Sequence, residues 1–352
     1  MTIDVSERTD IERRGRLFRD LHAGPTLLVL PNPWDAGSAR LLANLGYRAL
    51  ATTSAGFAFA LGRIDGDGGV TAEETFENAR QIVTATDLPV SADLENGFGA
   101  SPDDVAATIR RAGEIGLAGG SIEDATLGDP DHAGPLYDRS IAIERIHAAV
   151  ETAKSLGYTF TLTARTEGFI RGRPDLDETL ARLSAFEEAG ADVLYAPGIP
   201  DEATLRRVCA SVARPFNYVA GVGPTRFTLA ELADIGVRRV SLGSSFTRVA
   251  LRGLVDAACE VSEEGTFGFL DGLPKTADFN EMIQGRPVAL AVHRNETHSP
   301  SKSPCASIRL VVGEGVEGDA HRGVGAEARF GDLFHSTLRL GPSGDHYVAE
   351  RT

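Results

Sequence analysis

The sequence predicts an α/β protein, a (β/α)8 barrel of the TIM type followed by a short irregular C-terminal appendage, on three observations. Short apolar runs rich in Val, Leu, Ala and Thr recur eight times, and each is followed by a longer stretch of helical periodicity. The eight units occupy about 250 residues, the size of a barrel whose parallel strands need crossover helices. An open doubly wound sheet is the competing architecture. It is disfavoured because no G-x-G-x-x-G follows the first strand and eight regular units exceed what that fold usually uses.

The elements follow in order. A helix over Ile11–Ala23 precedes the first strand. The strands are expected at Leu27–Asn32, Arg48–Ser54, Pro89–Asn96, Leu117–Asp124, Thr161–Gly168, Asp192–Gly198, Pro215–Val222 and Arg238–Ser245. Ser101-Pro102-Asp103-Asp104 sets a capping residue, a first-turn proline and an acid at the third helical position, and Thr228 with Glu231 makes a second capping box. Gly46, Gly116, Gly157, Gly190 and Gly236 each end an amphipathic run, as the left-handed residue after a helix does. Beyond about residue 285 the chain turns polar and glycine-rich. Pro287–Val292 and Ser307–Val312 are strand-like but too short to bury a core alone. The expected organisation is therefore a barrel over 1–284 and an appendage over 285–352.

Composition narrows the function. With 35 basic and 50 acidic residues the formal charge is −15, which repels phosphate backbones and anionic lipid, so neither nucleic acid nor membrane is an expected partner. No run reaches the roughly 18 apolar residues of a membrane span, and MTIDVSERTDIERRGR lacks a signal-peptide core. The expected location is the cytoplasm. The three cysteines, Cys209, Cys259 and Cys305, form no CxxC pair of the kind a structural zinc site uses.

In a β/α barrel reactive groups gather at the C-terminal ends of the strands. A strand period of two sends Ser91, Asp93 and Glu95 to one face, Gly119, Ser121 and Glu123 to the same face of the next strand, and Thr161, Thr163, Arg165 and Glu167 inward on the fifth. Asp93, Glu95 and Glu123 therefore meet at one barrel end. Such carboxylates must share protons, pair with Arg165 or hold a cation. An all-oxygen set without His or Cys suits Mg2+, with Mn2+ as the alternative. The plainer reading pairs these acids with Arg165 or uses them as helix caps. After the second strand, TTSAGFAFALGRIDGDGGVT offers backbone N–H groups for a substrate carboxylate, and Asp65 for the water shell of a metal. His132 lies in the loop after the fourth strand, where a lid over the mouth belongs.

Together TTSAGFAFALGRID, SADLENGFG, GGSIEDA, LTARTE and PFNYVAG make the chain resemble the isocitrate lyase and phosphoenolpyruvate mutase superfamily over roughly residues 15–270. The resemblance implies a barrel that swaps its last helix with a neighbour, in a homodimer or homotetramer, and magnesium-dependent work on a small α-keto or hydroxy acid. It implies C–C or P–C bond making or breaking through a pyruvate enolate. Carried over, Asp93 is the direct metal ligand, and Glu95, Glu123 and Asp65 are further carboxylates of the metal site. Arg165 contacts the substrate carboxylate or enolate oxygen. Ser54, Ala55 and Gly56 supply the carboxylate-binding backbone, and Asn217 lines the pocket.

Two departures narrow the reaction. The lid reads GDPDHAGP, without the cysteine and lysines of the lyases, and Pro197 stands where the lyases have a glutamate. Isocitrate and methylisocitrate cleavage are thereby disfavoured. A decarboxylase or hydrolase of an oxaloacetate-like or phosphonopyruvate-like substrate, or another C–C lyase, remains. An idle keto-acid-binding barrel is the second class of reading. The segment 292–323 resembles the opening of a MOSC domain, which makes a molybdenum-cofactor-related fusion the third.

Overall fold

The computed structural model describes residues 5–126, 135–223 and 226–285 and the strand pair formed by 308–309 and 327–328. The elements are α1 (Val5–Ala23), β1 (Leu28–Leu30), α2 (Ala36–Asn44), β2 (Leu50–Ala51), α3 (Ser54–Ala60), α4 (Ala72–Ala85), β3 (Val90–Asp93) and α5 (Pro102–Glu114). They continue with β4 (Gly119–Glu123), α6 (Arg139–Ser155), β5 (Thr161–Arg165), α7 (Leu176–Glu188), β6 (Val193–Tyr195), α8 (Glu202–Ser211), β7 (Phe216–Val219) and α9 (Leu229–Ile235). Last come β8 (Arg239–Ser241), α10 (Ser245–Cys259), α11 (Thr276–Ile283), β9 (Ile308–Arg309) and β10 (Glu327–Ala328).

Eight parallel strands stand in the order β1-β8-β7-β6-β5-β4-β3-β2. The open seam between β1 and β2 is spanned by the Ala51 amide, which donates to the Pro31 carbonyl at 3.1 Å. This nearly closed barrel is the expected fold. All eight expected strands form, each shorter than its apolar run. The second shortens because Thr53 leaves the sheet to cap α3, its hydroxyl accepting from the Gly56 amide, so Ser54 is helical rather than extended. Both expected capping boxes are present, Ser101 with Asp104 and Thr228 with Glu231. The five expected helix-ending glycines all have positive φ, and at Gly236 the value of +107° is one that a β-carbon would oppose. α1 begins at Val5, ahead of the expected Ile11.

The core lies between the outer faces of the strands and the helix ring. Val90, Ala92, Leu94, Ile122, Leu162, Ala164, Leu194, Phe216 and Val240 pack with Phe76, Ile82, Ile109, Ile146, Phe186, Leu205 and Leu232. Their alternation leaves the inward positions to polar side chains. A second cluster joins α1 to the barrel through Phe18, Leu21, Leu28 and Leu30. Phe18 is fully buried and sits so close to Gly119 that a β-carbon there would lie 2.9 Å from its ring.

The chain divides into two compact units, residues 1–252 with 274–290 and residues 253–273 with 291–352. In the second, Glu260 accepts from the Thr266 hydroxyl at 2.7 Å and the Phe269 amide at 3.1 Å. β9 and β10 pair antiparallel there; β9 lies within the expected strand-like run 307–312 and β10 outside it. The run Pro287–Val292 lies outside the described residues. No helix among the described residues is long and apolar enough to cross a membrane.

Candidate active site

The strand ends assemble a charged mouth. Asp93 closes β3, and its amide donates to Thr52 Oγ1 at 2.9 Å, tying it to the end of β2. Ser54, first residue of α3, donates its hydroxyl to Asp93 Oδ2 at 2.9 Å and its amide at 3.4 Å. The Ser121 hydroxyl of β4 reaches Asp93 Oδ1 at 3.5 Å. In-register pairing then sets Glu123 of β4 beside Arg165 of β5. Arg165 Nη1 lies 3.3 Å from Glu123 Oε2 and 3.7 Å from Asp93 Oδ1, while its Nε bonds Glu167. Arg171 adds a second buried cation, 3.7 Å from both Glu123 and Glu167. The Glu167 backbone is fixed in turn, because its amide donates to Asp124 Oδ1 at 2.9 Å and Asp124 pairs with Arg182 at 3.1 Å.

Acids outnumber bases here. Asp93, Glu95, Glu123 and Glu167, with the charge of Asp65 nearby, face Arg165 and Arg171. Burial and then the charges of Asp93 and Asp65 push the Glu95 carboxyl up to about 8, against a partial offset from Arg165. Burial also raises Glu123 well above the usual carboxylate range, with Arg165 opposing and Glu167, Asp93 and Glu95 adding to the rise. Of the three acids in the plainer sequence reading, Glu123 and, at the longer 3.7 Å, Asp93 pair with Arg165, whereas Glu95 makes no ion pair among the described residues. Arg165 also serves Glu167, so negative charge stays in excess around Asp93 and Glu95. Among the described residues no three His, Cys, Asp or Glu side chains form a ready-made ion cage.

The other expected site residues fall in three places. Ser54, Ala55 and Gly56 form the first turn of α3 rather than a loop nest, because Thr53 caps it. The Gly56 amide is taken by the Thr53 hydroxyl at 3.1 Å and the Ser54 amide faces Asp93, which leaves Ala55 the amide without a helical carbonyl to meet. Asp65 lies half-buried between α3 and α4, close enough for its charge to act on Glu95. Asn217 is fully buried inside the barrel, where its amide donates to Ser241 at 3.0 Å and accepts from Arg239 at 2.8 Å. Both ends of its amide are engaged away from the Asp93–Glu123–Arg165 group. His132 lies outside the described residues.

The model of the phosphoenolpyruvate phosphomutase family matches residues 18–262. The chain belongs to that family. The crystal structure of a Burkholderia cenocepacia J2315 protein provisionally assigned as a lyase/mutase is 47% identical, covering 80% of this chain and all of that one with a TM-score of 0.76. The 2,3-dimethylmalate lyase of Eubacterium barkeri is 29% identical over 275 residues, 76% of this chain and 92% of the relative. Oxaloacetate acetylhydrolase in complex with the product oxalate is 27% identical with a TM-score of 0.70, over 77% of this chain and 94% of that one. The chain is thus an enzyme of the isocitrate lyase/phosphoenolpyruvate mutase superfamily, among lyases and mutases.

For a phosphomutase-family barrel the interior holds more polar residues than the sequence motifs single out. Tyr195 of β6 pairs in register with Arg165 and Asn217, and the Arg165 guanidinium lies 5.0 Å from its ring. Burial raises the Tyr195 phenol, which stays protonated at neutral pH. Arg239 of β8 is buried, donates to Thr163 at 2.9 Å and is lowered by burial to about 10. Period two on their strands places both inward, a signal the sequence carried once the strand registers were set. Arg171 had no such signal, since it sits in an irregular loop after β5.

Proposed function

We propose that this enzyme breaks or rearranges a C–C or P–C bond of a small α-keto or hydroxy acid by way of a pyruvate enolate, with Mg2+ as its cofactor and Mn2+ as the alternative. The single observation that carries the reading is the convergence of Asp93, Glu95, Glu123 and Arg165 at the C-terminal end of one barrel, with carboxylates in excess. Relatives named for 2,3-dimethylmalate and oxaloacetate support a small α-keto or hydroxy acid as the substrate class.

The donors fit a hard divalent ion. Magnesium commonly takes one or two carboxylates and completes its sphere with water and substrate, so the lack of a three-carboxylate cage is compatible with it. Asp93 would hold the ion, with Glu95, Glu123 and Asp65 reaching it through water. The bound cation would supply Lewis-acid stabilisation of the oxygen that gains charge as the bond breaks. Arg165, held by Glu123 and Glu167, presents a fixed positive charge to the same oxygen, so the stabilisation is greater for the enolate than for the ground-state ketone. Ser54 and Ala55 orient the substrate carboxylate at the first turn of α3. Asn217 shapes the pocket floor through its bonds to Ser241 and Arg239. His132, outside the described residues, is the candidate proton carrier.

The exposed apolar residues at the start of α10, Val249 at 69% and Leu251 at 37%, support a homodimer or homotetramer in which a second copy covers that stretch. Residues 292–323, which resemble the opening of a MOSC domain, are read as having no part in catalysis; removing 286–352 should leave turnover intact. The experiment for the site is calorimetric titration with oxalate, a mimic of the pyruvate enolate. Binding with Mg2+ and none with EDTA supports the reading, whereas equal binding in both opposes it.

A further inference from the structure

Among the described residues only two other than glycine have positive φ, and both lie in the turn after β3: Glu95 at +49° and Phe98 at +56°, with Gly97 at +81° between them. Left-handed backbone is unfavourable for residues with a β-carbon and persists where the surroundings impose it. The carbonyls of this turn are held from two helices. Thr108 of α5 donates to the Gly97 carbonyl at 2.8 Å. Arg145 of α6, 1% exposed, donates through Nη1 to the Gly99 carbonyl at 2.7 Å and through Nη2 to the Asn96 carbonyl.

Arg165, Arg171 and Arg182 each pair with carboxylates, whereas Arg145 and Arg239 are buried without an ion pair among the described residues, Arg239 on the side chains of Asn217 and Thr163. Arg145 differs from Arg239 in that it grips backbone, two carbonyls of one turn, with the Tyr137 ring 4.2 Å from its guanidinium. Tyr137 joins the same unit, since its hydroxyl accepts from Asn96 Nδ2 at 3.1 Å. Asn96 Oδ1 then accepts from the Phe98 amide at 3.0 Å. Burying a cation without an anion is costly, and here the fork is spent on two backbone carbonyls of one strained turn. A lysine ammonium, a single point, does not reproduce that planar two-carbonyl grip.

We propose that Arg145 is a positioning residue for the site: by clamping the carbonyls of Asn96 and Gly99 it holds Glu95 left-handed beside Asp93, and so sets the affinity of the mouth for its divalent cation. This rests on the site reading given above. It acts through Glu95 and touches no substrate.

The test compares Arg145→Met, Arg145→Lys and Tyr137→Phe with the unaltered chain by amide hydrogen exchange and by oxalate calorimetry over a series of Mg2+ concentrations. In Arg145→Met, exchange at the Gly97 and Phe98 amides should rise at least tenfold while β5 and β8 amides keep their rates. The Mg2+ concentration that half-supports oxalate binding should rise at least tenfold, with oxalate affinity at saturating Mg2+ within about threefold. Arg145→Lys should fall between, and Tyr137→Phe should shift the midpoint two- to fivefold. Faster exchange at 97 and 98 with an unchanged Mg2+ midpoint would overturn the proposal, as would exchange that rises uniformly over the barrel. Failure of the unaltered chain to bind oxalate with Mg2+ would instead overturn the site reading, and the positioning role with it.

Discussion

Replacing Glu95 by glutamine should make the metal-free protein more stable while impairing its site. The folded-state carboxyl titrates near 8, against an ordinary value of 4.5. Between those pH values the native chain keeps a proton that the unfolded chain has released. Stability from this group is therefore complete below pH 4.5 and is lost as pH rises through about 8, at about 1.4 kcal/mol per pH unit. At pH 7 the loss is about 3 kcal/mol, which glutamine does not incur. For a domain of this size that is a rise in Tm of about 5 °C. The assay is thermal and urea unfolding of both proteins in EDTA from pH 4.5 to 8.5, repeated with Mg2+. The gap should open with pH in EDTA and narrow with Mg2+, because a bound cation would supply the countercharge that Glu95 lacks. Parallel melts at every pH, or a glutamine variant less stable at pH 7, would refute the reasoning.

Three further outcomes follow from the same structure. Arg165→Met should lower kcat by about 10²–10³, the usual cost of removing a fixed charge-stabilising donor, with the fold retained by circular dichroism; a loss under threefold would remove Arg165 from the chemistry. His22 is buried, its Nδ1 donating to the Phe18 carbonyl at 2.8 Å, and burial lowers it to about 3. Because its folded value lies below the unfolded 6.5, its contribution is full above pH 6.5 and falls as the pH drops toward 3, a loss of about 2 kcal/mol at pH 5. His22→Gln should flatten that acid limb in urea titrations, and an unchanged difference between pH 5 and 7 would contradict it. A β-carbon on Gly56 would lie 2.5 Å from Thr247 Oγ1 and 2.5 Å from Thr53 Cγ2. Gly56→Ala should cost about 1–3 kcal/mol, and adding Thr247→Ala should recover part of it; full stability of the single variant would dispose of the packing argument.

The barrel was legible because its signals are local. Helix-ending glycines, capping boxes and period-two strands each act within a few residues, and all eight strands formed where such signals stood together. Asp93, Glu123 and Arg165 were legible for the same reason, since inward alternation and position at a strand end need only the strand itself. Glu167 came with them by the same alternation, but its pairing with Arg165 and Arg171 depends on how the loop after β5 folds back. Asn217 shows the opposite case. Its inward direction was readable, whereas its engagement by Arg239 and Ser241 is a contact between strands 22 and 24 residues apart. The helical start at Ser54 was hidden because the Thr53 cap competes with continuation of β2, and apolar pattern alone does not decide that contest. Arg145 carried no signal. On α6 it reads as one more charged helix residue, and its hydrogen-bond partner lies in a turn 46 residues earlier.

The central claim, cation-dependent enolate chemistry at Asp93, is tested most directly by pyruvate release from oxaloacetate, phosphonopyruvate, 2,3-dimethylmalate and methylisocitrate. Each is assayed with Mg2+ and with EDTA, for the unaltered chain and for Asp93→Ala. Release is expected from at least one of the first three compounds with Mg2+, with loss of that release in EDTA and a fall of at least a hundredfold in Asp93→Ala. Release that persists in EDTA or survives Asp93→Ala would contradict the claim.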